Sequence, residues 1–380
     1  MDFEPSESQE LIRQTVRDFA EREIAPHVME HDAAASFPYD AIKGLANLGV
    51  LGLIFPTELQ GAGAGYLEYA TAVEELARVD PSVSLTVAAH ISLATNHIYK
   101  LGSDEQRRRW VPPLAAGTKL GAWALTEPSC GSDASALLTQ ARREGGDWVI
   151  NGTKNFCTNG GVGDIVVVFA RTSPGSGARG ISSFVVEKGT PGFTPGKKED
   201  KLGMRASDTS ELFFEECRVP DAHRVGPEGE GFIQAMKVLD GGRISIAALA
   251  VGIGQGAYEA SVRFAKSRSA FGRPIAEFQA IQWKLADMAT ELDAARLLTY
   301  RAAALKDAGA TNTVRESSMA KLFSSEAAQR ICEQAVQVHG GYGFIKDFPA
   351  EKFYRDVKLT TIGEGTSEIQ RLVIARKLLE

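Results

Sequence analysis

Apolar positions recur at helical spacing through roughly the first third of the chain. Leu11, Ile12, Val16, Phe19 and Ile24 share one stripe, the three-and-four step of an amphipathic helix. The same reading predicts helices over 40–48, 66–78, 82–101 and 104–116, divided by Gly and Pro. The run Gly61-Ala62-Gly63-Ala64-Gly65 reads as a flexible connection. Near residue 120 the texture changes. Short β-rich runs at 148–150, 165–170, 183–186 and 211–214 alternate with turn sequences such as 172–177 and 190–192. Strands of that length and spacing predict an antiparallel sandwich or barrel without crossover helices. Beyond residue 228 the elements are helical and long. Ile281, Leu285, Met288, Leu292 and Ala295 mark the seam of a bundle helix, and 314–338 is another, ended by Gly340-Gly341. The expected class is therefore α+β multidomain: a helical N-terminal domain (1–119), a middle antiparallel β-barrel or sandwich domain (120–226) and a C-terminal four-helix-bundle domain (227–380).

That order removes one decoy. Gly252-Ile253-Gly254-Gln255-Gly256-Ala257 fits a dinucleotide-binding fingerprint, which requires a βαβ unit around it. Its flanks are Ala-rich and continuous with a single helix, so the small residues read as close helix packing. The 380 residues suffice for two or three domains, and 44% apolar with 24% charged residues is ordinary globular composition. A net charge of −6 argues against a nucleic-acid partner. Arg107-Arg108-Arg109 reads as a solvated helix face. Cys130, Cys157, Cys217 and Cys332 are widely spaced, as for reduced thiols in a cytoplasmic protein. The acidic start Met1-Asp2-Phe3-Glu4 lacks the apolar or Arg-rich character of a targeting segment, and no run is long enough to span a membrane. His27/His31 and His90/His97 lack a third ligand at a metal-binding spacing, so no metal is expected.

Chemistry concentrates in a few short runs. In Ile362-Gly363-Glu364-Gly365-Thr366-Ser367-Glu368-Ile369-Gln370 a carboxylate stands between two glycines, on backbone able to approach a ligand closely. Ser367 and Gln370 have capping-box spacing, which predicts a helix over 369–379 and sets Glu364 at its mouth as a candidate base. Two loops, Thr126-Glu127-Pro128-Ser129-Cys130-Gly131-Ser132-Asp133 and Asn151-Gly152-Thr153-Lys154-Asn155-Phe156-Cys157-Thr158, combine hydroxyls, small residues and an aromatic ring. Together they suit a large planar cofactor, stacked on the ring and hydrogen-bonded at its edge.

Six segments in order carry a resemblance. They are Leu125-Thr126-Glu127-Pro128 with Gly131-Ser132-Asp133, Asn151-Gly152-Thr153-Lys154, Lys201-Leu202-Gly203-Met204-Arg205, Arg268-Ser269-Ala270-Phe271-Gly272, Gln337-Val338-His339-Gly340-Gly341 and Glu364-Gly365-Thr366-Ser367. Nearly end to end, the chain resembles the FAD-dependent acyl-CoA dehydrogenases, most of all the short-chain, butyryl-type branch. The resemblance implies desaturation of an acyl-CoA thioester between Cα and Cβ. Glu364 would take the α-proton while a hydride leaves Cβ for flavin N5, with electrons passed on to electron-transfer flavoprotein. It also implies a homotetramer built as a dimer of dimers.

Site roles carry over position by position as implications of the resemblance. Leu125, Thr126 and Ser132 match FAD contacts, and Ser132 also faces the CoA side. Phe156 and Thr158 match residues at the isoalloxazine. Arg268, Phe271, Gln279, Gln337 and Gly341 match contacts to the adenine and pyrophosphate, made partly by a neighbouring subunit. Thr366 and Glu368 match further FAD positions, and Asp240, Arg243 and Gly365 match acyl-CoA contacts.

Three positions depart from the family pattern: Phe156 replaces Trp, Cys157 replaces an aliphatic residue, and Gly363 replaces Tyr. The last leaves more width beside the acyl chain and points to short-to-medium or short branched substrates. In some relatives the base instead precedes the matching arginine on the helix; here that position is Gly242. Two alternatives stay open: an acyl-CoA oxidase of the same fold, distinguished by turnover with O₂ alone, and a flavin-bound DNA-associated protein of the alkylation-response type, distinguished by salt-sensitive DNA retention.

Overall fold

The first helix begins where its chemistry says it should. Ser6 accepts a hydrogen bond from the Gln9 amide, and Glu7 and Glu10 occupy the first turn of α1 (Glu7–Phe19). A computed structural model of the chain describes residues 4–310 and 312–380; the start of the acidic N-terminal run, 1–3, lies outside them. The N-terminal helices continue as α2 (Val28–Ala34), α3 (Tyr39–Asn47), α4 (Tyr66–Val79), α5 (Pro81–Ala88), α6 (Asn96–Leu101) and α7 (Asp104–Ala115). The single helix expected over 82–101 is divided. A π-helical stretch, Ala89–Thr95, joins α5 to α6, and π segments collect at functional sites. The glycine-rich 61–65 run is pinned: Ala62, Gly63 and Ala64 amides donate to the carbonyls of Gly52, Phe55 and Leu53.

The middle strands are β1 (Gly121–Ala124), β2 (Gln140–Glu144), β3 (Asp147–Thr158), β4 (Ile165–Arg171), β5 (Ile181–Glu187), β6 (Phe193–Lys198), β7 (Thr209–Pro220) and β8 (Arg224–Val225). They form one sheet in the order β6-β7-β3-β2-β4-β5-β8, with β1 also beside β4. Two expectations need correction. The sheet keeps two end strands, β6 and β8, so among the described residues no barrel closes. It is also mixed, since β1 and β2 both pair with β4 in parallel. Turn-rich spacing reports the strands but not their neighbours: β1 and β2 follow one another along the same edge of β4, with residues 125–139 between them. On β4, Val166 and Val168 enter a core inside the sheet, whereas Ile165, Val167 and Phe169 enter the core shared with the helices. Burial on both faces explains its unbroken apolar run.

The remaining elements are α8 (Gly231–Ser267), a small ribbon of β9 (Ser269–Ala270) and β10 (Arg273–Pro274), then α9 (Gln279–Asp307), α10 (Val314–His339), α11 (Ala350–Asp356) and α12 (Ser367–Leu379). Helix α8 packs on α4, α9 and α10. The glycine fingerprint lies inside α8, as the flanks predicted. A Cβ on Gly252 would fall 2.2 Å from the Glu74 carbonyl, and one on Gly256 2.3 Å from that of Arg78. Two glycines four apart thus seat α8 against two carbonyls four apart on α4. Lys352, fully buried, joins Asp80 at 3.0 Å and Asp356 at 2.6 Å, and Asp356 also accepts from the Met204 amide. That knot ties both helical parts to the sheet. Among the described residues no helix is long and apolar enough to cross a membrane, and no three His, Cys, Asp or Glu side chains gather as a metal site.

Candidate active site

The backbone turns twice through the left-handed region just before α12. Glu364 has φ +54° and Gly365 φ +92°, and a non-glycine residue there stores strain that its surroundings must hold. The capping expectation needs revision. Thr366 is the N-cap, its hydroxyl accepting from the Ile369 amide at 3.3 Å. Gln370 reaches past the cap instead, its Nε2 donating to the Glu364 carbonyl at 3.2 Å and the Gly365 carbonyl at 3.0 Å. The 362–366 turn exposes carbonyls as well as amides, and the longer Gln side chain satisfies the carbonyls.

The Glu364 carboxylate faces α8. A Cβ on Gly242 would lie 1.9 Å from Glu364 Oε2, so Gly242 leaves the space this carboxylate occupies. The same contact explains why helix position 242 and loop position 364 address one point. Glu364 as a whole is only partly covered, but Oε2 is sealed from solvent and has no hydrogen-bond partner among the described residues. Its backbone N–H likewise meets no acceptor among them. Burial pushes the carboxyl up to about 7, against the opposing pull of Lys321 and Arg243. Arg243 is buried, its Nη1 2.7 Å from Asp240 Oδ1 and its Nε unpartnered among the described residues. Burial also raises the Asp240 carboxyl and lowers the Arg243 guanidinium. An ionisable carboxylate, an unused amide and an unused guanidinium N–H thus occur together at the junction of this turn and α8.

The two middle-domain loops come together. The Asn155 amide donates to the Thr126 carbonyl at 2.8 Å, which sets Leu125 and Thr126 beside the end of β3. There the register shifts between Lys154 and Cys157, and Phe156 at φ +54° presents a ring that is 62% exposed. Thr158 follows two residues later, and Ser132 is exposed on the first loop. Lys154 pins the arrangement from behind: its buried ammonium reaches Glu127 at 2.7 Å and the Leu125 carbonyl at 3.2 Å. Glu127 in turn accepts from the Leu138 and Thr139 amides. Trp123 Nε1 and Asn155 Oδ1, one donor and one acceptor, are buried without partners among the described residues. An open aromatic face, hydroxyls and unused polar atoms fit a planar cofactor with a polar edge.

The C-terminal residues of the predicted site are carried by other elements. Arg268 and Gly341 line a cavity of about 480 Å³ with Phe264, His339 and Tyr342, and the Arg268 guanidinium lies 5.3 Å from the Tyr342 ring centre. Phe271, at φ +51°, is 96% exposed and meets Phe278 edge-on. Gln279, Gln337 and Glu368 are exposed, and the Thr366 hydroxyl is committed to its cap. One functional candidate was absent from the sequence reading. Lys321, in the middle of α10, is fully buried beside the Glu364 turn. Its only signal in the sequence is a neighbourhood of small residues, Ser317, Ser318, Ala320, Ser324 and Ser325, which a surface lysine does not need.

A fold of two helical parts around a sheet, with a buried carboxylate and an open aromatic face, suits an oxidoreductase with a planar cofactor, and the comparisons name its class. Sequence models of the acyl-CoA dehydrogenase N-terminal, middle and C-terminal domains match residues 6–118, 122–217 and 229–379. The chain is 47% identical over 378 residues to a short-chain specific acyl-CoA dehydrogenase of Clostridium acetobutylicum, covering 100% of both. It superposes on butyryl-CoA dehydrogenase from Megasphaera elsdenii with a TM-score of 0.98 at 43% identity, covering 100% of both chains. A chain solved in work on the electron transferring flavoprotein of Acidaminococcus fermentans and flavin-based electron bifurcation gives 0.99 at 46% identity, again over 100% of each. The protein belongs to the acyl-CoA dehydrogenase family, oxidoreductases that use FAD.

Proposed function

We propose that the chain desaturates a short-to-medium or short branched acyl-CoA, with Glu364 as the base that removes the α-proton. The observation that carries this reading is the Glu364 carboxylate, its Oε2 sealed and unpartnered beside Gly242 and its proton affinity raised to about 7. A carboxylate in water is far too weak a base for a thioester α-proton. Burial brings its proton affinity to working pH, where a general base is most effective. The unused Glu364 N–H is the donor for the thioester oxygen, stabilising negative charge as the proton leaves. Asp240 and Arg243 orient the thioester arm from α8, and Gly365 allows its close approach. Leu125, Thr126, Ser132, Phe156 and Thr158 hold FAD, which when bound accepts the hydride from Cβ. Electrons then pass to electron-transfer flavoprotein, in keeping with the chain of the Acidaminococcus study above.

The same reading assigns Arg268, Phe271, Gln279, Gln337 and Gly341 to the nucleotide end of FAD across a subunit boundary, in a homotetramer built as a dimer of dimers. Exposed Phe271 and Phe344, at 96% and 88%, support a covered surface there. Four buried free cysteines suit a reducing cytoplasm.

The decisive experiment is anaerobic mixing of the FAD-loaded protein with butyryl-CoA, following loss of flavin absorbance. Wild type bleaches. Glu364→Gln, nearly isosteric, keeps FAD and binds the thioester but bleaches about 10³–10⁴-fold more slowly. A variant that bleaches at the wild-type rate would place the base elsewhere.

A further inference from the structure

A lysine with no solvent exposure in the middle of a helix demands an account, because burying an ammonium is costly unless something uses it. Among the described residues Lys321 Nζ makes one hydrogen bond, to the Gly365 carbonyl at 2.7 Å. No carboxylate lies within ion-pair distance of it among the described residues. The charges that face it are Glu364 from the turn, Arg243 from α8, Glu368 from α12 and Glu326 from α10 itself. The Gly365 carbonyl also receives Gln370 Nε2 at 3.0 Å. Two donors from two helices therefore converge on one carbonyl, directly after the strained residue that carries the carboxylate.

We propose that Lys321 is a positioning residue for the base, clamping the Gly365 carbonyl so that the left-handed pair Glu364–Gly365 keeps the carboxylate against Gly242. This rests on the reading of Glu364 as the base. Three links support it. Glu364 and Gly365 at φ +54° and +92° form a conformation that relaxes unless it is held from outside. Gln370 belongs to the same helix start and moves with the turn, whereas Lys321 anchors it to α10. Finally, the ammonium acts through space on Glu364, favouring the ionised form and opposing the burial that disfavours it. Clamp and charge come from one side chain.

Replacement separates the two effects. Lys321→Gln removes the charge and keeps a donor; Lys321→Met removes both. Each FAD-loaded variant is mixed anaerobically with butyryl-CoA on both sides of neutral pH, with wild type and Glu364→Gln alongside. For Lys321→Gln the pH limb belonging to the base moves to higher pH, since loss of a nearby positive charge favours the neutral acid. For Lys321→Met the limb moves likewise, and the limiting rate falls about tenfold or more as the clamp is lost. Infrared difference titration gives a readout independent of turnover. The carboxyl band absent from Glu364→Gln titrates at higher pH in Lys321→Gln than in wild type.

An unchanged limiting rate in Lys321→Met, with an unshifted limb and band in Lys321→Gln, would overturn the proposal and leave Lys321 a packing residue. Should Lys321→Met give no FAD-loaded protein, Lys321→Leu, which also lacks the donor, takes its place for the limiting rate. Failure of the base reading is distinct: Glu364→Gln then bleaches at the wild-type rate, whatever the lysine variants do.

Discussion

The Glu364 turn and the Arg268 face are both assigned to one reaction, yet they are built in opposite ways. Around Glu364 everything is internal: Gly242 leaves the space, Gln370 and Lys321 hold the backbone, and Arg243 stands buried alongside. At the other face Phe271 is 96% exposed, and Arg268 finds only the Tyr342 ring and no carboxylate within ion-pair range among the described residues. A proton-transfer group must have its environment fixed before substrate arrives, because its proton affinity is set by what surrounds it. A surface that grips a shared cofactor is finished only when a second copy covers it. On the proposed reading the first region is complete in one chain, and the second is half of a site.

The sharpest way to break that contrast is to fill the space in front of the base. Gly242→Ala places a methyl where Glu364 Oε2 now lies. The carboxylate is the flexible partner and swings away, so flavin reduction should fall about 100-fold, as for a reacting group moved by an ångström. Stability should not fall, since exchanging a helix-interior glycine for alanine is worth roughly 0.5–1 kcal/mol in favour of the helix. Stopped-flow reduction and a thermal melt on one preparation check both. Full activity would show that the carboxylate does not work from this position.

A pH titration tests the internal region next. As the proposed base Glu364 must be ionised, and burial moves its carboxyl up to about 7 from the ordinary 4.5. The bleaching rate should rise about tenfold per pH unit below neutrality and level off above it. Stability carries the opposite sign. The folded chain holds this proton to higher pH than the unfolded chain, so the contribution is fully present below 4.5 and is lost as pH rises through about 7. Glu364→Gln should remove that slope from urea midpoints measured between those values, and an identical pH dependence in both proteins would contradict the buried-base account.

How far these regions can be read from sequence follows from the same contrast. Helices α4, α7 and α10 are legible because caps and periodicity are local: Ser103 and Gln106 form a capping box, as their spacing implies. Glu364 is legible because flanking glycines mark unusual backbone. The π stretch Ala89–Thr95 is not, since its residues are ordinary helix formers and the widened turn comes from packing. Strands β3 and β7 outrun their apolar runs because their polar halves are held by pairing with each other through bulges. Lys321 stayed hidden because a lysine in a long helix reads as surface, and its partner carbonyl lies 44 residues away.

Arg268→Ala probes the unfinished face, with a smaller effect. The guanidinium leaves the Tyr342 ring and the cavity beside it. Retained FAD should fall severalfold to about tenfold, the range of one ordinary hydrogen bond, and light scattering should show assembly weakening with it. A flavin-replete, fully active monomer would show that the face needs no second copy.

Gly363 should give the smallest change, and it asks whether the internal region also sets substrate size. A Cβ there meets nothing nearer than the Leu359 carbonyl and side chain at 3.5–3.7 Å, ordinary contact distances, so a side chain can be added without collision at its root. On the proposed reading, the residue next to the base governs the width beside the acyl chain. Without a side chain the pocket admits extra carbons, each buried methylene being worth about 0.8 kcal/mol. Two more carbons would favour hexanoyl- over butyryl-CoA by about tenfold in kcat/KM. Gly363→Tyr should shift that ratio back toward butyryl-CoA, with the Glu364 pH limb unmoved because the base's own contacts are untouched. The comparison uses butyryl-, isobutyryl-, hexanoyl- and octanoyl-CoA with both proteins. An unchanged profile would mean that pocket width is set elsewhere, and a strict butyryl preference in the wild type would mean that the space at Gly363 is closed off from the acyl chain.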